Sequence, residues 1–431
     1  MNRSTKNYEI EKPHTTLENM DFCNKGIPWS MKQRPAAISV LVFSIALSSS
    51  ALAVDNPTAA YRTNVGKITI EVDPRVELIG IVFRLAGNPE YNDGTLRPYA
   101  KAIEKHFGDF DNHPVVKMAV RLRNTRLMSC DGPMSLAVHI DRDYRLRKTS
   151  EDWPSTLDYR WEKQETAEFL EKLRHFAAEA KFDEFFKAQG PIYEQGIRPC
   201  ACVMAQKDVK VINEELARCA PKECLESPGV MVFKSLLRDD FGQWLSDFYG
   251  LANTGDLRLV LGFVNGFANY GPRFTDGRIN EKYAIIGMRP FDPANTVIFL
   301  PQQIGIVAHE FCHSFTNPVV DKYMDRLRST GERLYKKHGP ALRRRGCQEW
   351  RSMMYETAVR ACVASFIRNS IVDPGYMDHY LKREASHGFV WIKDADDFLK
   401  TYESNRDKYP TFESFFPEIV AFFNEYAEKL D

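Results

Sequence analysis

The run His309-Glu310-Phe311-Cys312-His313 narrows what this chain can fold into more than any other feature of it. Histidines four residues apart share a face only when the segment is helical, and on that face both ring nitrogens can reach one metal ion, zinc above all. The glutamate between them is placed to take a proton from a metal-activated water and pass it to a leaving amine. Ile306, Val307 and Ala308 before the motif and Phe311, Cys312, Ser314 and Phe315 within and after it are uncharged, as a buried site helix requires. Burying Glu310 there without a chemical role would be costly. Cys312 faces away from the histidine side and reads as a small core residue.

The apolar spacing predicts a helix over 302–316 that stops before Asn317-Pro318, because proline disfavours helical conformation in the residue before it. A catalytic zinc needs a third protein ligand. Thr316 and Val319 stand where the metzincin continuation would have glycine and histidine, so the ligand comes from elsewhere. A second helix predicted over 346–369 carries Glu349 and Glu356, seven residues apart and nearly on one face. Glu356 is preferred, since Thr357, Ala358 and Ala361 beside it allow close helix approach, and Asp321 is the other candidate. Arg360, one turn after Glu356, either orients that carboxylate or holds a substrate carboxylate.

With 431 residues, 44% of them hydrophobic, the chain can bury one large core or two moderate ones. Lys+Arg and Asp+Glu are both 58, so there is no basic surplus of the kind a nucleic-acid partner would demand. Residues 31–53 (MKQRPAAISVLVFSIALSSSALA) have the basic start, short apolar run and small-residue end of a signal peptide cleaved near Ala53. That predicts an exported protein, periplasmic or secreted, with no stable membrane span in the mature chain. Residues 1–30 are expected to be a non-native upstream extension.

Eight cysteines follow the cleavage site, and Cys200, Cys202, Cys219 and Cys224 in a loop-like stretch are the candidates for one or two bridges. A structural zinc there lacks the usual C-x-x-C spacing. Cys347 and Cys362, on one predicted helix about 22 Å apart, cannot pair with each other.

Strands are expected at 67–72, 257–264, 283–287 and 296–300, helices at 76–85, 98–107, 162–188, 230–249 and 416–430, and a turn through NGFANYGPRFTDG at 265–277. The fold class is therefore α+β with helices dominant: a mostly helical N-terminal lobe over 54–250 and a zincin-like catalytic lobe over 251–431, with a small antiparallel-edged sheet beside the motif helix.

A motif followed by a glutamate on a later helix resembles the gluzincin clan of zinc metallopeptidases. More closely, the stretches 71–87 (EVDPRVELIGIVFRLAG), 247–274, 306–320 (IVAHEFCHSFTNPVV) and 355–361 (YETAVRA) resemble a bacterial family of exported, predicted gluzincins catalogued only as a domain of unknown function. The resemblance implies zinc at His309, His313 and Glu356 with Glu310 as base. It also implies a peptide laid antiparallel on an edge strand, for which 257–264 stands in the expected place; Asn269, Tyr270 and Gly271, just after that run, are then expected at the rim of the cleft. Arg360 stands where the clan often has an aspartate, leaving open which acidic group orients the ligand histidines. His387, Tyr283 and Tyr402 are unranked candidates for stabilising an oxyanion. Peptide hydrolysis leads; a zinc amidase on a non-protein substrate and an inactive peptide- or surface-binding module are the rivals.

Overall fold

The structure, a computed structural model, describes residues 61–429 apart from 130, 206–240, 278, 289–302 and 371–373. The signal peptide, the upstream extension, the strand expected at 296–300, and Cys130, Cys219 and Cys224 lie outside the described residues.

One mixed sheet carries the fold. β1 (Arg62–Val65) and β2 (Ile68–Glu71) form an antiparallel hairpin. β2 then runs parallel to β3 (Asp256–Gly262), and β3 runs parallel to β6 (Ile279–Gly287). The outer side of β6 pairs antiparallel with two short pieces, β4 (Asn269–Tyr270) and β5 (Arg273–Asp276). Tyr270 faces Ile285 and Arg273 faces Lys282, so the two pieces keep one register and make a single edge strand interrupted at Gly271-Pro272. Tyr283 N still donates to Pro272 O (3.0 Å) across the interruption. The sheet is thus built across residue 250, with strands from both sides of it hydrogen-bonded together.

Helices surround this sheet, giving a helix-dominated α+β architecture. Before β3 come α1 (Pro74–Leu85), α2 (Arg97–Phe107), α3 (Pro114–Arg126), α4 (Asp131–His139), α5 (Lys163–Glu179), α6 (Phe182–Ala188), α7 (Gly190–Met204) and α8 (Phe241–Tyr249). After β6 come α9 (Ile304–Arg343), α10 (Trp350–Ser370), α11 (Pro374–Ser386), α12 (Ile392–Ser404) and α13 (Phe412–Glu428). No described helix is long and apolar enough to cross a membrane. α1 starts where Pro74 supplies a preset φ and Asp73 caps it, accepting from Arg75 N at 2.9 Å. The helix expected over 162–188 is two helices, because Lys181 takes a left-handed conformation (φ 49°) between them.

Three expectations are corrected. The motif helix does not stop at Asn317-Pro318: α9 runs 40 residues, with Pro318 and Pro340 inside it. Interior proline costs about 3 kcal/mol, but Val319, Val320, Met324, Leu327 and Leu334 continue the buried stripe beyond it, and their burial outweighs one lost hydrogen bond. The strand 257–264 is no edge: β3 lies between β2 and β6 with Leu257, Leu259, Val260 and Leu261 fully buried. The edge beside the motif helix is β4–β5, in the segment expected to be a turn. Cys200 and Cys202 sit on α7, not in a loop.

Candidate metal centre

α9 brings His309 and His313 to one face, and α10 lies against that face so that Glu356 meets both. The ring nitrogens His309 Nε2 and His313 Nε2 are 3.1 Å apart. Glu356 Oε2 is 3.4 Å from the first and Oε1 is 3.3 Å from the second. Donors bound to tetrahedral zinc at roughly 2.0–2.1 Å lie about 3.3 Å from one another, so this triangle has the size of three corners of such a site. The fourth corner faces a cavity of about 390 Å³. The donor set fits a divalent metal with one open position.

The other two carboxylates considered as ligands are not in the triangle. Glu349 precedes the first turn of α10 and is exposed. Asp321 accepts a hydrogen bond from Tyr355 Oη on the outer part of α9.

The electrostatics follow from burial and from Glu356. Burial lowers His309 to about 4, so its imidazole is neutral. Burial alone would also lower His313, but the hydrogen bond and charge of Glu356 outweigh it and hold His313 at about 9. Burial would raise Glu356, yet Arg360 and the two histidines keep it well below the ordinary carboxylate range. Arg360 donates to Glu356 Oε2 and, through Nε, to Glu384 Oε2 at 2.7 Å. Its guanidinium is therefore engaged by two carboxylates and is absent from the cavity wall, an arrangement suited to orienting Glu356. Asn317 supplies the support on the other ligand, accepting from His313 Nδ1 at 3.3 Å and leaving Nε2 as the donor toward a metal. The reading that ended the helix at Asn317-Pro318 passed over this residue, although it stands one turn after His313.

Glu310 is buried, and among the described residues its carboxylate takes no hydrogen bond. Burial pushes it up to about 8, with Glu356 and Asp131 adding to the rise and His313 and Arg360 opposing it. A divalent cation at the triangle would draw it back down.

The edge strand forms the facing wall. Asn269, Tyr270, Gly271, Pro272 and Arg273 line the cavity together with the metal-site residues. Asn269 Oδ1 accepts from Gly287 N at 3.1 Å, tying the strand to β6. Gly271 lies so near α9 that a Cβ there would sit 2.2 Å from Glu310 O and 2.9 Å from His313 Cβ. Ser314 Oγ, 3.3 Å from both Gly271 O and Pro272 O, donates to this stretch. Ser352 and Tyr355 of α10 add to this wall, and the rest of it comes from before residue 250, chiefly Asp131 and Ser135 on α4 with Thr156 and Asp158 beyond it. No local pattern in the sequence signals these four residues.

The three residues considered for an oxyanion are elsewhere. Tyr283 is buried on β6 and donates to Glu281 Oε2 (2.9 Å), Tyr402 donates to Phe248 O, and His387 Nδ1 lies 3.6 Å from Glu384. None lines the cavity; the tyrosines that do are Tyr270 and Tyr355.

Behind the motif, α9 and α10 meet along a seam of thiols and hydroxyls. Tyr249 Oη is 2.7 Å from Thr316 Oγ1, which is 3.7 Å from Cys362 Sγ. Cys312, Cys347 and Cys362 are all buried free thiols, and Cys347 precedes α10.

Residues 229–422 match the model of a family described as a domain of unknown function (DUF4932). The match takes in the edge strand, the motif and Glu356 and leaves out the α4 side of the cavity. No curated protein and no solved structure matches the chain.

Proposed function

We propose that this chain is a zinc-dependent hydrolase that cuts peptide bonds, with His309, His313 and Glu356 as metal ligands and Glu310 as general base. The observation that carries this reading is a donor triangle of tetrahedral dimensions opening on a cavity that also holds an unpaired, buried carboxylate. Zinc, when bound, would supply Lewis acidity to a water and a carbonyl at its open position. Glu310 takes the proton from the attacking water and delivers it to the departing amine. Arg360 and Asn317 keep Glu356 and His313 aimed. The β4–β5 edge offers main-chain groups to an extended peptide, which is the form in which a polypeptide most readily enters such a groove.

The test begins with metal content. Wild-type protein is expected to hold about one zinc per chain, and His309→Ala and Glu356→Ala to lose it. Glu310→Gln is expected to keep zinc and lose about 10²–10⁴-fold in cleavage of a peptide library. A zinc-loaded Glu310→Gln variant that cuts peptides at the wild-type rate would overturn the assignment of the base.

A further inference from the structure

Arg273 is an exception among the inward arginines of this protein. Arg75 pairs with Asp73 at 2.5 Å, Arg147 with Glu281 at 2.5 Å, Arg258 with Glu71 at 3.0 Å, Arg360 with Glu384 at 2.7 Å and Arg368 with Glu403 at 2.7 Å. Arg273 lines the cavity beside the metal triangle, and among the described residues no carboxylate or hydrogen-bond acceptor comes within bonding distance of its guanidinium. The one acid whose charge it feels, Asp321, is already accepting the Tyr355 hydroxyl. Directly opposite in the strand register stands a second cation, Lys282, whose amine donates to Asn280 Oδ1 at 2.6 Å and whose pKa burial and Arg273 lower to about 8. Like charges paired across strands destabilise a sheet, and drawing a guanidinium partly out of water with no anion beside it adds to the cost. Burial accordingly lowers Arg273 from the ordinary arginine value.

The rigid fork of a guanidinium matches a carboxylate in two parallel hydrogen bonds, so the anion that relieves this cost has an obvious chemistry. Position narrows it further. Arg273 is two residues along the edge strand from Gly271, which touches the motif helix at Glu310. At 3.3–3.4 Å per residue that is about 7 Å, within two residues of a bond attacked beside Glu310.

We propose that Arg273 determines specificity by holding a carboxylate of the substrate, so that the preferred substrate is a peptide with an anionic group within two residues of the bond cut. A free C-terminus and an acidic side chain both present that chemistry. The inference rests on the peptidase reading for its choice of substrate, but not for the existence of the anion site.

Calorimetry on zinc-loaded Glu310→Gln protein tests it with three N-acetylated tripeptides: a free acid, its C-terminal amide, and an amide ending in glutamate. The carboxylate-bearing peptides are expected to bind about 10–100-fold tighter than the plain amide, and Arg273→Gln in the same background is expected to erase the difference while keeping zinc. Preference for the free acid alone identifies a C-terminal carboxylate; recovery by the glutamate amide identifies a side chain. Arg273→Lys, which keeps the charge and loses the fork, is expected to fall between and guards against a folding defect. Equal binding of all three peptides, binding of none, or a preference that survives Arg273→Gln overturns the proposal. If wild-type protein cleaves the peptides without such a preference, only this inference fails. If it cleaves none while the Arg273-dependent preference stands, the peptidase reading fails and the carboxylate site remains.

Discussion

Gly271→Ala puts the contact between the edge strand and the motif helix to a quantitative test. The added Cβ would lie 2.2 Å from the Glu310 carbonyl oxygen, against 3.4 Å for ordinary contact, so strand and helix must part by 1.2 Å (3.4 − 2.2). Neither neighbour is a flexible side-chain end: one is helical backbone and the other, 2.9 Å away, is the Cβ of His313. Overpacking of this kind costs about 1–3 kcal/mol, and the Ser314 hydroxyl bond to the strand, worth about 1 kcal/mol, goes with it. The strand should yield rather than α9, because α9 is held along its length by α10 and α13 while β4–β5 is pinned on one side only. The ligands sit on helices, so zinc content should be preserved. The cavity wall formed by β4–β5 shifts by about 1 Å, a misplacement able to cost about 10²-fold in turnover if the proposed peptidase reaction takes place there. Chemical denaturation, zinc analysis and peptide cleavage together give the signature: weaker folding, full metal, poor turnover. Gly108→Ala is the control, since a Cβ there meets nothing within 4 Å. Wild-type stability and turnover in Gly271→Ala would refute the claim that the strand is pressed onto the helix.

Arg360→Met should lower zinc affinity by about 10–100-fold, as loss of a supporting group around a metal ligand generally does; competition with a metal-sensitive dye measures it, and unchanged affinity would remove Arg360 from the site. Glu77, buried under the sheet, accepts from Phe263 N (2.7 Å) and Tyr99 Oη (2.6 Å), yet burial pushes it up to about 7 from 4.5. Its folded value exceeds its unfolded one, so its contribution is fully present below about pH 4.5 and is lost as pH rises through about 7, amounting to about 3 kcal/mol. Denaturation of Glu77→Gln at pH 5 and pH 8 should therefore show the variant gaining on wild type at the higher pH, and an equal difference at both would contradict this.

The local parts of the site were legible in the sequence because helical periodicity is local. His309, His313 and Glu356 follow from spacing and from which side chains let two helices approach. The same rule overreached at Glu349, which lies on the expected face but before the first turn of the helix. Proline punctuation misled twice. Pro318 looked like an end because the buried stripe beyond it has no weight in a dipeptide rule, and Gly271-Pro272 looked like a turn although the register with β6 runs through it. Apart from Arg258 the run 257–264 is apolar, which signals a strand covered on both faces, as the central strand β3 is and as an edge open to substrate is not. Asp131 and Arg273 face the metal triangle from elements distant in sequence, and only the tertiary fold brings them there.

The thiol seam behind the motif ties the condition of the site to an event that can be watched. Cys312 lies between His309 and His313, and Cys362 is six residues beyond Glu356 on the facing helix. Burial pushes the Cys362 thiol up to about 12 and raises Cys312 as well, so neither offers a thiolate while the helices stay together. Drawing α10 off α9, the displacement that takes Glu356 away from the histidines, would expose them, as would lifting Tyr249 of α8 off the pair. A rate of alkylation at these cysteines that falls when an ion is bound would single out the first movement and serve as a clock for opening of the centre.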